Sequence, residues 1–235
     1  EGLLNSKRIN ISHSYWLSKF EITMEQYLRF LNMRLAEGKI RLDGVGVYIN
    51  ENQVIGGSNI QGGQYILSIE NGDRGFWYRD GKFVLSKVYT GIDEESYERL
   101  KKYPVKVSLW GAYYFARTYG FELPTEPEWE KAARGPLHDD AGEHYRFPWS
   151  EEIGGMDFNR RYLYGAYQSQ TDNQYYRVDS QVPGVQDNYI DTINGYGLYH
   201  IVGNAEEWTT SSLDKIKDFN KNFKLSDGGV NRIDN

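Results

Sequence analysis

An α+β domain with little regular structure, short antiparallel strands and long loops is the fold class that this sequence predicts. Three observations lead there. Capping signals open three apolar stretches of helical spacing, at Thr23, Ser108 and Thr125. Between the first and second of these, a glycine-punctuated region alternates short β-branched and aromatic runs with turns. That region is too aromatic for a linker, and beyond Gly135 elements are hard to assign until the glycine-rich turn over 194–197.

Taken in chain order, Tyr15–Ile22 has a β-rich, partly alternating pattern that predicts a short strand. Thr23-Met24-Glu25-Gln26 follows, where a Thr and a Gln three residues apart can satisfy two orphan amides at a helix start. Tyr27, Phe30, Leu31 and Leu35 recur at helical spacing and Gly38 supplies a left-handed stop, which predicts a helix over 24–37. The glycine-rich stretch over about 44–92 reads as an insertion built of small strands and turns. Gln64–Ile69 and Gly75–Val84 look like hairpin material, and Asp80-Gly81 is a two-residue turn between Phe76-Trp77-Tyr78 and Phe83-Val84-Leu85. Ser108 can cap a helix whose Leu109, Ala112, Phe115 and Ala116 form an apolar stripe ended by Gly120. Thr125-Glu126-Pro127-Glu128 is a second capping box, with Trp129, Ala132 and Ala133 facing inward and Gly135 as the stop. Three main helices result, and no internal repeat or low-complexity tract interrupts them.

Composition narrows function by exclusion. The 235 residues suit a single domain over 1–235, and 15% aromatics with six Trp argue for a folded chain despite 26% charged residues. A net charge of −6 without a lysine or arginine block argues against nucleic acid as a partner. No apolar run approaches the roughly 18 residues that span a bilayer. A start at Glu1 is the expectation of a processed or trimmed chain, and an exported or cell-envelope location is preferred to a cytoplasmic one. The sequence holds no cysteine, which removes disulfides, thiolate metal sites and a cysteine nucleophile together.

Several blocks together resemble one family. These are Pro104–Ala112, Leu123-Pro124-Thr125-Glu126-Pro127-Glu128-Trp129-Glu130-Lys131-Ala132-Ala133-Arg134-Gly135, Phe147-Pro148-Trp149-Ser150, and Asn194–Trp208 with its Gly203-Asn204-Ala205-Glu206-Glu207-Trp208 ending. In this order and spacing they are similar to the formylglycine-generating, or sulfatase-modifying factor, family. The resemblance implies a variant of the C-type lectin fold. It also implies that Asp227-Gly228-Gly229-Val230-Asn231 is a remnant of a family stretch, and that the family's catalytic C-terminal part is missing or cut away.

Catalytic members of that family oxidise a cysteine of a client sulfatase with copper held by two cysteines, so no copper is expected in this chain. Related members use histidine-held iron. His13, His138, His144 and His200 show no recognised ligand spacing, and the cluster His138-Asp139-Asp140, Glu143, His144 reads better as a solvated loop. Calcium is the metal the resemblance favours, through the backbone oxygens of Gly203 and Ala205 and the side chain of Glu207, with a second site near Asn159 and Asp172. His200 stands where the family usually has Asp or Asn and weakens the first site. Glu207 has an alternative reading as a buried carboxylate hydrogen-bonded to loop amides.

Trp16, Trp110, Trp129, Trp149 and Trp208 read as core and loop-packing residues. Tyr162, Tyr164, Tyr167, Tyr175 and Tyr176 lie instead on a polar stretch with Gln and Asn, the composition of adaptable binding loops. The expectation is a non-catalytic scaffold that presents loops to a protein or carbohydrate ligand, stabilised by calcium. A truncated member of the oxidase family is the alternative. A hydrolase built on paired carboxylates is a third, weaker view.

Overall fold

The computed structural model describes residues 9–70, 75–86, 94–136, 194–199, 201 and 205–211. Helix α1 (Met24–Ala36) opens on Thr23, whose side chain accepts from the Gln26 amide while Gln26 Oε1 accepts from the Thr23 amide, so the reciprocal cap forms as its spacing predicts. Gly38 follows at φ 67°, a backbone state that favours glycine. The chain then runs through β1 (Ile40–Asp43), β2 (Gly46–Ile49), β3 (Gln53–Ile55), β4 (Ser58–Ile60), β5 (Tyr65–Ser68), β6 (Phe76–Arg79) and β7 (Lys82–Leu85). Three further helices follow: α2 (Glu94–Lys101), α3 (Leu109–Thr118) and α4 (Glu126–Arg134).

The strands make one three-stranded antiparallel sheet in the order β1-β2-β5 and two separate hairpins, β3-β4 and β6-β7. In the sheet Ile40 lies opposite Ile49 and Val47 opposite Leu67, with a register shift between Val47 and Tyr48. Asp80 and Gly81 both take positive φ, 50° and 77°, as the two-residue turn joining β6 to β7 requires.

The larger of two cores holds the first three helices and the strands together. From α1 it takes Met24, Tyr27, Phe30 and Leu31, residues that repeat on one helical face. The glycine-rich region adds Val47, Ile49, Ile60, Ile66, Leu67, Phe76, Phe83 and Leu85, and α3 adds Tyr114 and Phe115. The strands expected over 44–92 therefore share the core of α1 and α3, and β1 starts before that stretch. Two close approaches fix the packing of α3. Tyr27 Oη donates to the Gly111 carbonyl at 3.0 Å, and a Cβ at Gly111 would stand 2.8 Å from the Ile66 carbonyl oxygen, so only glycine fits there. Ser108 Oγ caps the helix by accepting from the Gly111 amide at 3.0 Å while donating to the Tyr65 carbonyl at 2.6 Å, which ties the start of α3 to β5.

A polar knot lies beside the core. Arg34 Nε donates to Tyr114 Oη at 2.7 Å, and Gln53 Oε1 accepts from both Tyr114 Oη and the Arg34 guanidinium. Gln53 Nε2 in turn donates to the Lys39 carbonyl at 3.0 Å. Gln53 is buried and fully engaged, which fixes β3 against α1 and α3.

The three expected helices are present with their caps, and three local expectations need correction. Residues 15–22 form no strand. Their backbone meets neighbours at isolated points, Lys19 O with the Tyr199 amide and Ile22 O with the Val105 amide, without a continuous partner strand. Trp16 does not pack: with Tyr15 and Leu17 turned inward, it is 100% exposed. In α3 the buried face includes Gly111 and Tyr114, whereas Ala112 is half-buried. Helix α2 lies in the interval left unassigned between the glycine-rich region and Pro104. Among the described residues no helix is long and apolar enough to cross a membrane.

Candidate functional site

Segments distant in sequence converge on α4. Its N-cap Thr125 accepts from the Glu128 amide, and Glu128 Oε2 accepts from the Thr125 amide and hydroxyl, both at 2.7 Å. Pro127 sits in the first turn, where its missing N–H costs nothing. The next free amide, that of Glu126, donates to Ser211 Oγ at 3.2 Å, so the 205–211 segment completes the cap. Thr210 adds a backbone bond from its amide to the Pro124 carbonyl at 2.8 Å, and Trp208 Nε1 donates to the Val107 carbonyl at 3.0 Å.

At the other end of α4 a tight turn carries Asn194. Its side-chain nitrogen donates to the Ala132 and Ala133 carbonyls at 2.6 and 3.1 Å, which the helix leaves without intrahelical partners. Its side-chain oxygen accepts from the Tyr196 and Leu198 amides at 3.0 and 3.1 Å. Gly197, at φ 84°, lets the chain reverse so that Leu198 joins Ala132, Ala133 and Ile201 in a second small core, closed by Tyr15, Leu17 and Trp129.

Of the expected calcium ligands, Glu207 and Ala205 are described. Trp129 Nε1 donates to Glu207 Oε2, and burial raises the Glu207 carboxyl above its ordinary value, an effect that this hydrogen bond opposes. The residue keeps an exposed side while its carboxyl is crowded by protein atoms. The partner found is therefore an indole, not the loop amides of the alternative reading. The amide of Ala205 donates instead to Glu21 Oε1 at 3.0 Å, so a second carboxylate holds this loop. Gly203, Asn159, Asp172, His200, His138 and His144 lie outside the described residues, as do Trp149 and the five tyrosines Tyr162, Tyr164, Tyr167, Tyr175 and Tyr176. Among the described residues, no three carboxylate or imidazole groups gather as metal ligands. Glu207 and the carbonyl of Ala205 are oxygen donors of the kind calcium takes. For copper the donor chemistry does not fit, because the sequence contains no thiol.

Sequence reasoning missed Glu21, Asn194, His13 and the second use of Glu128. His13 Nε2 lies 2.7 Å from Glu128 Oε1, and Tyr15 Oη donates to the Glu128 carbonyl at 2.8 Å. Hydrogen bonds, first from the Thr125 amide and then from the Thr125 hydroxyl and His13, lower the Glu128 carboxyl below its ordinary value despite burial. The Thr125-x-x-Glu128 spacing was the available signal for the cap. Nothing in spacing points from residue 128 to residue 13.

Several known proteins are similar to this chain in sequence. A family model described as a sulfatase-modifying factor enzyme 1-like domain matches residues 4–232. A formylglycine-generating enzyme from Thermomonospora curvata is 33% identical over 111 residues, 44% of this chain and 31% of that protein. An inactive C-alpha-formylglycine-generating enzyme 2 from Bos taurus is 35% identical over 115 residues, 48% of this chain and 34% of the relative. A serine/threonine-protein kinase pkn1 from Chlamydia pneumoniae is 29% identical over 199 residues, 84% of this chain and 23% of the kinase. The matched regions thus amount to about a third or less of these relatives' lengths.

Proposed function

The chain belongs to the sulfatase-modifying factor enzyme 1-like family, and from that premise we infer that it acts as a non-catalytic binding scaffold rather than as a sulfatase-activating oxidase. One observation carries the reading. The family blocks are present and the described parts of the two flanking α4 are locked together by Asn194, by Trp129 with Glu207, and by Ser211, yet no cysteine exists to hold copper. The likeness to a relative named as inactive supports this. The long match to part of a much larger kinase supports a second point, that such a domain can serve as a module beside others. The ligand is a protein or a carbohydrate, and the tyrosine-rich stretch from Tyr162 to Tyr176, with its Gln and Asn, has the composition to bind it.

The test uses the complete natural protein and a cysteine-containing sulfatase peptide, with the aldehyde captured on a hydrazide and detected by mass spectrometry. No aldehyde is expected with copper and oxygen supplied. Its formation would overturn the scaffold reading in favour of the oxidase alternative, which the likeness to named formylglycine-generating enzymes supports.

Calcium stabilisation is a finer part of the same reading, resting on Glu207 and the Ala205 carbonyl as hard oxygen donors beside Gly203. A cation that binds only the folded chain raises its stability in proportion to the logarithm of saturation. After chelation, adding calcium is expected to raise Tm by about 2–4 °C, the shift that roughly 1 kcal/mol gives a domain of this size. An unchanged Tm, with no calcium found by elemental analysis, would remove calcium from the account.

A further inference from the structure

One face of the β6–β7 hairpin is committed to the larger core, through Phe76, Phe83 and Leu85. The Asn32 side chain of α1 closes one edge of β7 by exchanging two hydrogen bonds with the Phe83 backbone, at 2.8 and 3.0 Å. Side chains alternate along a strand, so Trp77, Arg79, Lys82 and Val84 share the opposite face. The register sets Trp77 across from Val84 and Arg79 across from Lys82. Two cations thus stand directly opposite each other, an arrangement that destabilises a strand pair.

Neither cation is neutralised. Arg29, Arg34, Arg117 and Arg134 each pair with a glutamate, and Arg41 donates to the Ile49 carbonyl. Arg79 differs: among the described residues it has no hydrogen bond or ion pair, and its guanidinium carbon rests 5.1 Å from the centre of the Trp77 ring, whose Nε1 is anchored on Ser86 Oγ. Lys82 is exposed and equally unpaired, and Asp80, in the turn between them, bonds to neither. Solubility does not require this pair in a chain of net charge −6, since a glutamate at position 82 would serve as well and would remove the repulsion.

We propose that this outer face of the β6–β7 hairpin docks an acidic segment of a partner protein, with Arg79 and Lys82 receiving its carboxylates and Trp77 and Val84 receiving an apolar side chain beside them. The occupant follows from charge and extent. A polyanion such as nucleic acid or a sulfated glycan needs a track of cations, and here there are two on a chain that is acidic as a whole. Two carboxylates match two cations, and the neighbouring half-buried Trp77 and Val84 suit a segment that mixes acidic with apolar residues. The positive φ angles of Asp80 and Gly81 hold the turn tight, so Arg79 and Lys82 are placed before a ligand arrives. This deepens the scaffold reading and rests on it, yet it fails separately, because peptide binding at β6–β7 does not depend on whether the complete protein forms an aldehyde.

The test is fluorescence anisotropy on the full chain with a short labelled peptide of glutamate and leucine, its glutamine counterpart as control, and a heparin fragment and a single-stranded oligonucleotide as competing classes. The glutamate peptide is expected to bind, and to bind more weakly as salt rises from about 50 to about 200 mM. Lys82→Glu should weaken that binding about tenfold or more, by setting a like charge against the peptide. The same variant should leave Tm unchanged or raised, because Arg79 then faces an opposite charge across the strand pair, so lost binding cannot be put down to lost folding. A glutamate peptide bound no better than its glutamine counterpart, or bound equally by Lys82→Glu, would overturn the proposal. So would a heparin fragment or oligonucleotide that binds more tightly than the peptide and is released by Lys82→Glu, since the hairpin would then belong to a different class of ligand.

Discussion

Replacing Phe30 by alanine is expected to lower the stability of the folded chain by about 3–5 kcal/mol, which approaches half the total for many domains. Phe30 is fully buried and stands where α1 meets α3. Its ring lies 5.0 Å from that of Tyr27 and meets Tyr114 and Phe115 edge-on, each at 5.3 Å. Removing it leaves an apolar cavity walled by aromatic side chains that are themselves tied down. Tyr27 is held by its bond to Gly111, and Tyr114 by Arg34 and Gln53. The walls therefore cannot collapse into the space, which puts the loss toward the upper part of the range. The better helix propensity of alanine returns only about 0.5 kcal/mol. Urea unfolding should show the midpoint falling with an unchanged slope. A loss below about 1 kcal/mol would mean that the core relaxes far more than its fixed aromatics allow.

That core was partly legible before any coordinates. The spacing of Tyr27, Phe30, Leu31 and Leu35 and the Thr23 box locate α1, because capping and helical period are local properties. Asp80-Gly81 similarly locates the β6–β7 turn, since the two positive φ angles make demands on two adjacent residues only. Tyr114 was not legible as a core residue. A tyrosine is tolerated at that depth because its hydroxyl finds Arg34, 80 residues away, and Gln53, 61 residues away, and no local pattern records such pairings. The segment 15–22 failed in the opposite way. Its alternation is real and turns Tyr15 and Leu17 inward, but alternation describes side chains facing a core and does not guarantee a neighbouring strand.

The same division runs through the site. The block ending in Glu207-Trp208 draws attention to the segment, but what Glu207 touches is Trp129, 78 residues earlier, and what holds the Ala205 amide is Glu21, 184 residues earlier. Residue type gives no more than a carboxylate at position 207. It could not foretell that the described partner of this carboxylate is an indole, a choice made by how the 205–211 segment lies along α4.

Asn194→Ala is expected to cost about 2–4 kcal/mol and to loosen the end of α4 before the rest of the fold. Four hydrogen bonds pass through this buried side chain, two donated to the Ala132 and Ala133 carbonyls and two accepted from the Tyr196 and Leu198 amides. Alanine preserves the backbone bonds of the turn, Asn194 N–H to Leu198 O and Gly197 N–H to Asn194 O, both 2.9 Å, so the turn itself can persist. What it strands are helix-end carbonyls and turn amides near a core that excludes water, each costing about 1–3 kcal/mol when no substitute partner reaches it. Asn194→Asp separates donors from size. An aspartate can still accept from the two amides but offers the helix carbonyls no N–H, and in its charged form it repels them, so it should be at least as damaging as alanine despite its equal volume. Hydrogen exchange should show protection lost at 129–136 and 196–201 while α1 retains its own, since α1 belongs to the separate, larger core. If aspartate were well tolerated, the bonds to Ala132 and Ala133 would not be what fastens the Asn194 turn to α4, and the accepted amide bonds alone would have to account for the join.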